Sequence, residues 1–181
     1  MYNYKRKTSF SERLPFLGRL LTKLILTAVF SYLLAYVFKI FIFFPHRFTD
    51  SSMLPSFKQD EMIFLSPIVR IASLNYEKVV FSQIPGTDLV FAGRIIGKPG
   101  DKISIQSKKV FRNGQVISSK TSKNNDTRVF GISFSNRDNL NETTMNKDEY
   151  FILCDNRDEC MDSREYGSIL VKNIIAIKLY K

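Results

Sequence analysis

The residues with the clearest chemical potential begin at a serine that follows a long apolar segment. Ser52 stands in Asp50-Ser51-Ser52-Met53-Leu54-Pro55, eight residues beyond Phe44. A serine hydroxyl is a poor nucleophile until a base removes its proton, and in some serine proteases that base is a lysine amine. Such a lysine must be neutral, so it has to be buried among apolar groups that lower its pKa. Taken alone, the serine is equally compatible with an ordinary turn after a helix.

The two cysteines and the single histidine restrict what other chemistry the chain could carry. Cys154 and Cys160 lie six residues apart with no histidine nearby, which does not match a zinc site. They could form a disulfide in an oxidising compartment, or remain two unpaired thiols that fill space. His46 precedes Ser52 by six residues and is expected at a membrane interface. No metal and no cofactor is predicted.

The net charge of +10 is concentrated near the N-terminus. Residues 1–44 carry a net charge of +6, whereas the remaining 137 residues carry +4 with acidic and basic side chains interspersed. This distribution is typical of a charged membrane flank followed by an ordinary protein surface. Nucleic-acid binding is therefore not predicted, because it would require a basic patch within the folded domain.

A long apolar segment predicts a membrane anchor. The chain is uncharged between Leu24 and Lys39, and the apolar residues then continue to Phe44 before Pro45 closes the segment. As a helix, this segment would span about 31 Å, close to the hydrocarbon thickness of a bilayer. Lys39 lies near one end, where its amine can reach the interface. We therefore predict one transmembrane helix at residues 24–44.

Basic residues predict the orientation of this helix in the cell membrane. The segment before it holds six Lys or Arg residues, and the segment directly after it holds His46, Arg47 and Asp50. By the positive-inside rule, residues 1–23 form a cytoplasmic tail and residues 45–181 lie outside the cytoplasm. A cleaved signal peptide is disfavoured, because it would have a shorter apolar region ending in small residues. A buried core helix is disfavoured, because the segment is apolar on nearly all faces.

Beyond residue 60 the pattern changes to short strands separated by turn residues. Asn113-Gly114 between two apolar pairs is a strong hairpin signal. Outside the anchor no helix of two turns is predicted, so we expect an all-β domain with Greek-key or barrel-like closure. The predicted strands cover residues 62–65, 78–81, 89–92 continuing through 94–96, 102–105, 110–111, 116–117, 150–153 and 174–177.

A polar segment interrupts these strands. Residues 118–147 are rich in Ser, Asn, Thr, Lys and Asp, and we predict a polar loop or an extended hairpin inserted in the domain that spans residues 45–181. Asn141-Glu142-Thr143 matches a glycosylation acceptor, which has meaning only in a eukaryotic secretory pathway.

Three motifs, in this order behind the anchor, resemble those of the signal peptidase I family. Members of that family carry the nucleophile in Ser-Met-x-Pro, then a strand reading Lys-Arg, two hydrophobic residues and Gly-x-Pro-Gly-Asp, and later Gly-Asp-Asn-Arg-Asp-x-Ser-x-Asp-Ser-Arg. With the anchor and the hairpin, the resemblance covers most of residues 20–181, and three ordered motifs argue against a chance match. The matching stretches are Ser52-Met53-Leu54-Pro55, Arg94-Ile95-Ile96-Gly97-Lys98-Pro99-Gly100-Asp101 and Asp155-Asn156-Arg157-Asp158-Glu159-Cys160-Met161-Asp162-Ser163-Arg164.

The resemblance implies a serine endopeptidase with a lysine base and a β fold, which removes signal peptides from exported proteins at the membrane surface without a cofactor. Ser52 falls on the nucleophile. The substrate would lie extended beside one strand and add a strand to the sheet. The implied partners are signal-peptide-bearing exported proteins and the lipid bilayer. The residues on the implied substrate strand are Leu89, Val90, Phe91 and Ala92.

The same resemblance assigns bracing roles to charged residues in two of the motifs. Arg94 with Asp155 falls on one ion pair, and Arg164 with Asp162 falls on another. In the family these pairs hold loops of the site and do not carry protons. Two further residues of the last motif, Arg157 and Ser163, are grouped with them.

The chain departs from the family pattern at the residues that do the chemistry. Gly93 stands where the lysine base belongs, and glycine cannot accept a proton. Cys160 replaces the serine that hydrogen-bonds this lysine, and Cys154 replaces a glycine. Asp50 stands at the oxyanion hole, where a carboxylate beside a developing negative charge has the wrong sign unless it is protonated or turned away.

Three other residues are candidates for a replacement base. Lys98 and Lys102 are close in sequence to the missing lysine, but both are expected to be solvated cations. In some relatives a histidine is the base, but at the position of Gly93 and not at that of His46. A water molecule or a backbone amine also remains a candidate for the base. Loss of the base alone typically costs several powers of ten in rate and leaves binding intact.

Three functions therefore remain open. The chain could be an active signal peptidase with an unusual base. It could be a catalytically silent relative that binds exported chains, an active signal peptidase or the export machinery. It could also be a processing peptidase with a dedicated substrate, such as a pilus or conjugation protein. The absent proton acceptor favours the silent relative slightly, whereas the family resemblance points to cleavage of signal peptides.

Overall fold

The computed structural model of the chain describes residues 10–41, 44–119 and 121–179, and it divides into two compact units on either side of Phe41. The first unit contains helix α1 (Phe10–Phe41). Within α1, Gly18–Val37 is long and apolar enough to cross a membrane, and its side chains are exposed. A lipid bilayer would remove this apolar surface from water.

The predicted anchor at residues 24–44 differs from the observed helix at both ends. Helix α1 begins earlier, at Phe10, and ends at Phe41. Phe44 instead begins a strand, in which Phe44 pairs with Leu65 and Pro45 pairs with Phe64. Backbone pairing of Phe44 and Pro45 with a neighbouring strand therefore prevails over the apolar character of the segment, which alone suggested a helix that continues to residue 44.

The regular secondary structure of the second unit consists mainly of antiparallel strands, which confirms the prediction of an all-β domain behind one apolar helix. A seven-stranded sheet has the order β1-β2-β11-β3-β4-β9-β10, and a four-stranded sheet has the order β7-β6-β5-β8. The strands are β1 (Phe44–Phe48), β2 (Glu61–Ser66), β3 (Val79–Gln83), β4 (Val90–Gly97), β5 (Lys102–Gln106), β6 (Lys109–Arg112), β7 (Gln115–Ile117), β8 (Leu140–Thr144), β9 (Glu149–Leu153), β10 (Ile169–Leu170) and β11 (Ile174–Lys178). A short α-helix, α2 (Ser163–Tyr166), and two 3-10 helices (Ile71–Ser73 and Val171–Asn173) lie between them.

Local sequence explains the four-stranded sheet. In β5, Ile103 and Ile105 are buried while the residues beside them are more exposed, which is the alternation of a strand with one covered face. Asn113 and Gly114 join β6 to β7 with φ angles of 53° and 77°. Two successive positive φ values define a type I′ turn, which matches the twist of the strands it joins.

Strand β4 separates two apolar clusters of the seven-stranded sheet. Ala92 belongs to the first cluster, whereas Ile95 belongs to the second. Because side chains alternate along a strand, Gly93 faces the second cluster. The first cluster comprises Phe48, Met53, Phe57, Ile63, Leu65, Val79, Phe81, Ala92, Cys154 and Ala176, and the second comprises Leu74, Val80, Ile95, Tyr150, Ile152, Ile169, Ile174 and Ile177.

The turn between β4 and β5 is fixed by one buried carboxylate. Asp101 accepts hydrogen bonds from the backbone N–H of Lys98 at 2.9 Å, the Tyr76 hydroxyl at 2.8 Å and the Asn113 amide at 2.9 Å. Burial alone would raise the pKa of Asp101, but these donors outweigh it and leave the pKa below its ordinary value. Asp101, at the end of the second motif, therefore shapes the turn that follows β4.

Candidate active site

The hydroxyl and the backbone N–H of Ser52 both donate to the same carboxylate oxygen of Asp50. The Ser52 hydroxyl donates to Asp50 Oδ1 at 2.6 Å, and the Ser52 backbone N–H donates to the same oxygen at 2.8 Å. An aspartate that accepts from the backbone two residues ahead forms a common local turn. The Asp50 carboxylate is therefore turned toward the serine, in the orientation that the sequence identified as unfavourable for an oxyanion.

The position of the missing lysine is closed by packing. A Cβ atom at Gly93 would lie 2.6 Å from Ile152 Cγ2 and 3.0 Å from the backbone oxygen of Leu153. Non-bonded carbon atoms pack at about 3.5–4.0 Å, so a side chain at residue 93 has no room without movement of β9. Ile152 is completely buried in the second cluster. The space beside residue 93, where the resemblance places the base, is thus filled by Ile152 and Leu153.

The three candidate replacement bases are engaged elsewhere. The Lys98 amine lies over the Tyr76 ring, 4.3 Å from its centroid. Lys102 is 57% exposed and pairs with Glu142 at 3.5 Å. The His46 ring packs edge-on against Phe81, with the ring centroids 5.2 Å apart. Within the described residues, none of the three candidates forms a hydrogen bond with Ser52.

The first bracing pair predicted by resemblance is present in the structure. Arg94 Nε contacts Asp155 Oδ1 at 2.8 Å, and Arg94 Nη2 contacts Asp155 Oδ2 at 2.9 Å. The same guanidinium donates to the Ser56 hydroxyl and to the backbone oxygen of Glu77, both at 2.9 Å. Arg94 thereby ties β4 to the turn after Ser52 and to the last motif.

The second bracing pair is also present. Arg164 Nε and Nη2 contact the two oxygens of Asp162 at 2.8 and 3.0 Å. Asp162 also caps α2 by accepting from the Arg164 backbone N–H, and it accepts from the Cys154 N–H at 3.0 Å. The Ser163 hydroxyl accepts from the Ile152 N–H at 2.9 Å. These contacts fasten the last motif to the end of β9.

Cys154 and Cys160 form a disulfide, which decides between the two alternatives that the sequence left open. Inside the ring that they close, Arg157 donates to the Cys154 carbonyl at 2.7 Å. Burial lowers the pKa of Arg157 to about 10. The two sulfur atoms lie near Asp162, but they are bonded to each other and the carboxylate is held by Arg164. This group is therefore not free to hold a metal ion.

A partly buried ionic cluster fastens the polar insert to the last motif. The Lys108 amine lies 3.2 Å from Asp158 and 3.8 Å from Asp138, and Arg137 pairs with Asp138 at 2.8 Å and with Asp126 at 3.1 Å. Asp158 also accepts from the Asp126 backbone N–H at 2.7 Å. We call these five residues the insert cluster. It connects residues 126 and 138 of the insert to the motif that contains Asp155.

Comparisons with known proteins identify the family of this chain. Residues 21–179 match the family model described as signal peptidase, peptidase S26. This chain belongs to the signal peptidase I family. The signal peptidase I of Bacillus amyloliquefaciens is 28% identical over 148 residues, covering 82% of this chain and 80% of that protein. Signal peptidase I S of Bacillus subtilis is 27% identical over 149 residues, covering 82% and 80%.

A solved structure also matches the chain. The crystal structure of a signal peptidase I from Enterococcus faecalis V583 aligns with a TM-score of 0.45 and 21% sequence identity. The alignment covers 58% of this chain and 96% of that one. The family assignment rests on the sequence match over residues 21–179.

Several site contacts of this signal peptidase I relative were not predicted from its sequence. The spacing Asp-x-Ser at residues 50–52 is the local signal for the Asp50 turn, because an aspartate often accepts from the backbone two residues ahead. The packing of Ile152 against Gly93 has no such signal, since it depends on the register between β4 and β9. Insert contacts, such as Thr121 Oγ1 donating to Asp155 at 3.1 Å, join distant segments.

The insert cluster predicts a loss of stability in acid. Burial would raise the pKa of Asp138 and Asp158, but hydrogen bonds and the nearby Lys108 and Arg137 charges hold both pKa values below the ordinary value. A carboxylate whose pKa is lower in the folded chain stabilises it above the unfolded pKa, about 3.9, and that contribution falls as pH drops toward the folded pKa. We expect unfolding free energy to decrease below about pH 4.

Lys108→Met tests the cluster directly. Without the amine, the two carboxylates lose a cation, so their folded-state pKa values rise toward the unfolded value and the loss of stability in acid should become smaller. Urea unfolding between pH 3 and pH 7 measures this change. The neighbouring exposed residue supplies the control, and Lys109→Met should leave the pH dependence unchanged. Identical pH curves for Lys108→Met and the unaltered chain would contradict the prediction.

Proposed function

We propose that this chain recognises the cleavage region of signal-peptide-bearing exported proteins at the membrane surface and does not cut it at the rate of its active relatives. Family membership supplies the substrate class. The observation that carries the loss of cutting is the double hydrogen bond from Ser52 to Asp50 Oδ1. The bound chain would then be released intact or passed to an active peptidase or the export machinery.

The Asp50 contact opposes stabilisation of the oxyanion that the family reaction forms. Acyl transfer at a serine uses backbone N–H groups to stabilise the oxyanion, and the N–H of the nucleophile itself is a usual donor. Here that N–H already donates to a carboxylate oxygen. An oxyanion placed at the same donor would lie beside this carboxylate, and the two negative charges would repel each other.

The packing around Gly93 removes the proton acceptor. Activation of a serine by lysine requires a neutral amine within hydrogen-bond reach of the hydroxyl. Glycine supplies no such group, and Ile152 and the Leu153 carbonyl occupy the space into which a side chain would extend. A base lost in this way typically lowers the rate by about 10²–10⁴-fold.

The free edge of β4 supports binding of an extended chain. Residues 90–94 pair with β3 on one side, whereas β9 pairs with β4 from Arg94 onward. Within the described residues, no strand pairs with residues 90–93 on that second edge. An incoming peptide could add a strand there. Leu89 and Val90, at 65% and 48% exposure, would offer apolar contacts to it.

The membrane placement is part of the same proposal. The apolar span Gly18–Val37 would anchor the chain, and the basic residues before it favour a cytoplasmic N-terminus. The β domain would then lie outside the cytoplasm, where exported chains emerge. A disulfide at Cys154 and Cys160 is consistent with such an oxidising compartment.

A second candidate function is slow cleavage with Asp50 as the base, and the 2.6 Å contact favours it. The carboxylate would take the hydroxyl proton as Ser52 Oγ attacks the scissile carbonyl carbon, and would return it to the leaving amine. A carboxylate is a much weaker base than a neutral amine, so the rate would be low. Cleavage that disappears both in Ser52→Ala and in Asp50→Asn would identify this mechanism.

The test compares cleavage and binding by the purified full chain in detergent micelles, with a signal-peptide-bearing substrate. We expect no cleavage by the unaltered chain or by Ser52→Ala, and the same Kd for both. Leu89→Asp should weaken binding by about tenfold, since a buried leucine contributes about 1.5–3 kcal/mol. Val116→Asp is the control, because Val116 is similarly exposed, at 57%, on β7.

Two outcomes would overturn the proposal. Cleavage by the unaltered chain that is lost in Ser52→Ala would show an active enzyme. Absence of measurable binding to the substrate, or equal weakening by Leu89→Asp and Val116→Asp, would remove the recognition role.

A further inference from the structure

We propose that the disulfide ring, residues 154–160 closed by the Cys154–Cys160 bond, positions the Ser52 turn, and that Asn156 is the positioning residue through which it acts. The consequence for a bound exported chain rests on the proposed function. The positioning itself does not, since it concerns contacts within this chain alone.

The ring contacts the backbone of the serine turn directly. The Asn156 N–H donates to the Ser52 carbonyl at 2.8 Å, and the Asn156 side-chain amide donates to the Ser51 carbonyl at 3.1 Å. The Ser51 hydroxyl in turn donates to Glu159 Oε2 at 3.2 Å. In the described part of the chain, every hydrogen bond that reaches Ser51 or Ser52 from more than four residues away comes from this ring.

The ring is itself fixed to the apolar core. Cys154 is fully buried in the first cluster, together with Met53, the residue after Ser52. Asp155 is held by Arg94, and Arg157 donates to the Cys154 carbonyl. Asn156, at 1% exposure, therefore projects from a supported segment. The ring thus joins the end of β9 to the backbone of Ser51 and Ser52 through the Asn156 hydrogen bonds, whereas Met53 is held in the core by packing.

Because the ring is closed by the Cys154–Cys160 disulfide, the positioning of the Ser52 turn should be sensitive to reduction. A dithiol reductant supplies two electrons and two protons, which convert the disulfide to two thiols while the reductant becomes a disulfide. No other bond in the site is broken. Closure of a short ring restricts an unfolded chain less than closure of a long one. Opening this ring should therefore loosen the Ser52 turn more than it weakens the whole domain.

Hydrogen–deuterium exchange of the full chain in micelles tests the proposal without any substrate. With dithiothreitol present, backbone amides of residues 51–57 should exchange about tenfold faster than in the oxidised chain. The reason is that the free energy needed to open this turn locally should be lower once the ring is open. Among them, the Leu54 and Phe57 N–H groups donate within the turn. Amides of residues 102–112, in the four-stranded sheet, should be unchanged.

Asn156→Ala separates the asparagine from the disulfide. This variant should show faster exchange at residues 51–57 while oxidised, and dithiothreitol should then add little. Asn139→Ala is the matched control, because its side-chain amide also donates to a backbone carbonyl, that of Phe130 at 2.7 Å, but within the insert. We expect residues 51–57 to exchange normally in Asn139→Ala.

Three results would overturn this inference. The first is unchanged exchange at residues 51–57 after reduction. The second is an equal increase at residues 102–112, which would indicate loosening of the whole domain. The third is alkylation of both cysteines in the purified, unreduced chain. Failure of substrate binding would contradict the proposed function. It would not affect the exchange and alkylation measurements that test the positioning by the ring.

Discussion

Gly93→Lys is expected to destabilise the β domain without restoring cleavage, although it recreates the Lys-Arg pair of the family. The new Cβ would lie 2.6 Å from Ile152 Cγ2, so β9 or the isoleucine would have to move. Overpacking of this kind costs about 1–3 kcal/mol. The amine would also be directed toward the second apolar cluster, where an unpaired charge costs several kcal/mol more.

Urea unfolding of the full chain in micelles measures this loss, and the substrate assay measures cleavage. Gly131→Lys is the matched control, because a Cβ there would meet only Ser133 Oγ at 3.9 Å. Its stability should be close to that of the unaltered chain. Combining Gly93→Lys with Ile152→Ala removes the nearest clashing atom, so the double variant should lose less stability than the sum of the two single variants. A stable Gly93→Lys chain that cuts its substrate through Ser52 would refute our account of this position.

Asp155→Ala is expected to lower the free energy of unfolding by about 3–5 kcal/mol, because it removes one partner of a buried ion pair. The Asp155 side chain is 1% exposed and that of Arg94 is 15% exposed. Without the carboxylate, the guanidinium keeps its contacts with Ser56 and Glu77 but loses its counter-charge. Chemical denaturation in micelles gives the magnitude.

An exposed ion pair supplies the comparison. Lys102 and Glu142 are 57% and 56% exposed, with 3.5 Å between the charged atoms. Glu142→Ala should cost less than about 1 kcal/mol, as exposed pairs usually do. If Asp155→Ala cost no more than Glu142→Ala, the brace between β4 and the last motif would contribute little to stability.

The strands that the sequence predicted are those with strong local patterns. Ile103 and Ile105 alternate with more exposed residues, and Asn113-Gly114 encodes its turn directly. Strand β1 was not predicted, because its sequence Phe-Pro-His-Arg-Phe lacks alternation and follows an apolar run. Strand β8, Leu140–Thr144, is polar and mostly exposed, so only its pairing with β5 identifies it.

The site shows a similar division. The ion pairs at Arg94 and Arg164 were inferred from motif positions, and both are present. The filled space at Gly93 could not be inferred, since it depends on which residue of β9 lies across from β4. The disulfide was one of two alternatives, because cysteine spacing alone does not state whether two thiols face each other.

The open edge of β4 also affects how the chain behaves when no peptide is present. Unpaired backbone donors and acceptors with apolar neighbours can pair with the same edge of another molecule, which is a common route to aggregation. Asp88 directly precedes this edge and is exposed, so it adds a charge that opposes such self-association. Self-association of the chain in micelles should therefore increase when Asp88 is replaced by an uncharged residue, although Asp88 lies outside every motif of the family.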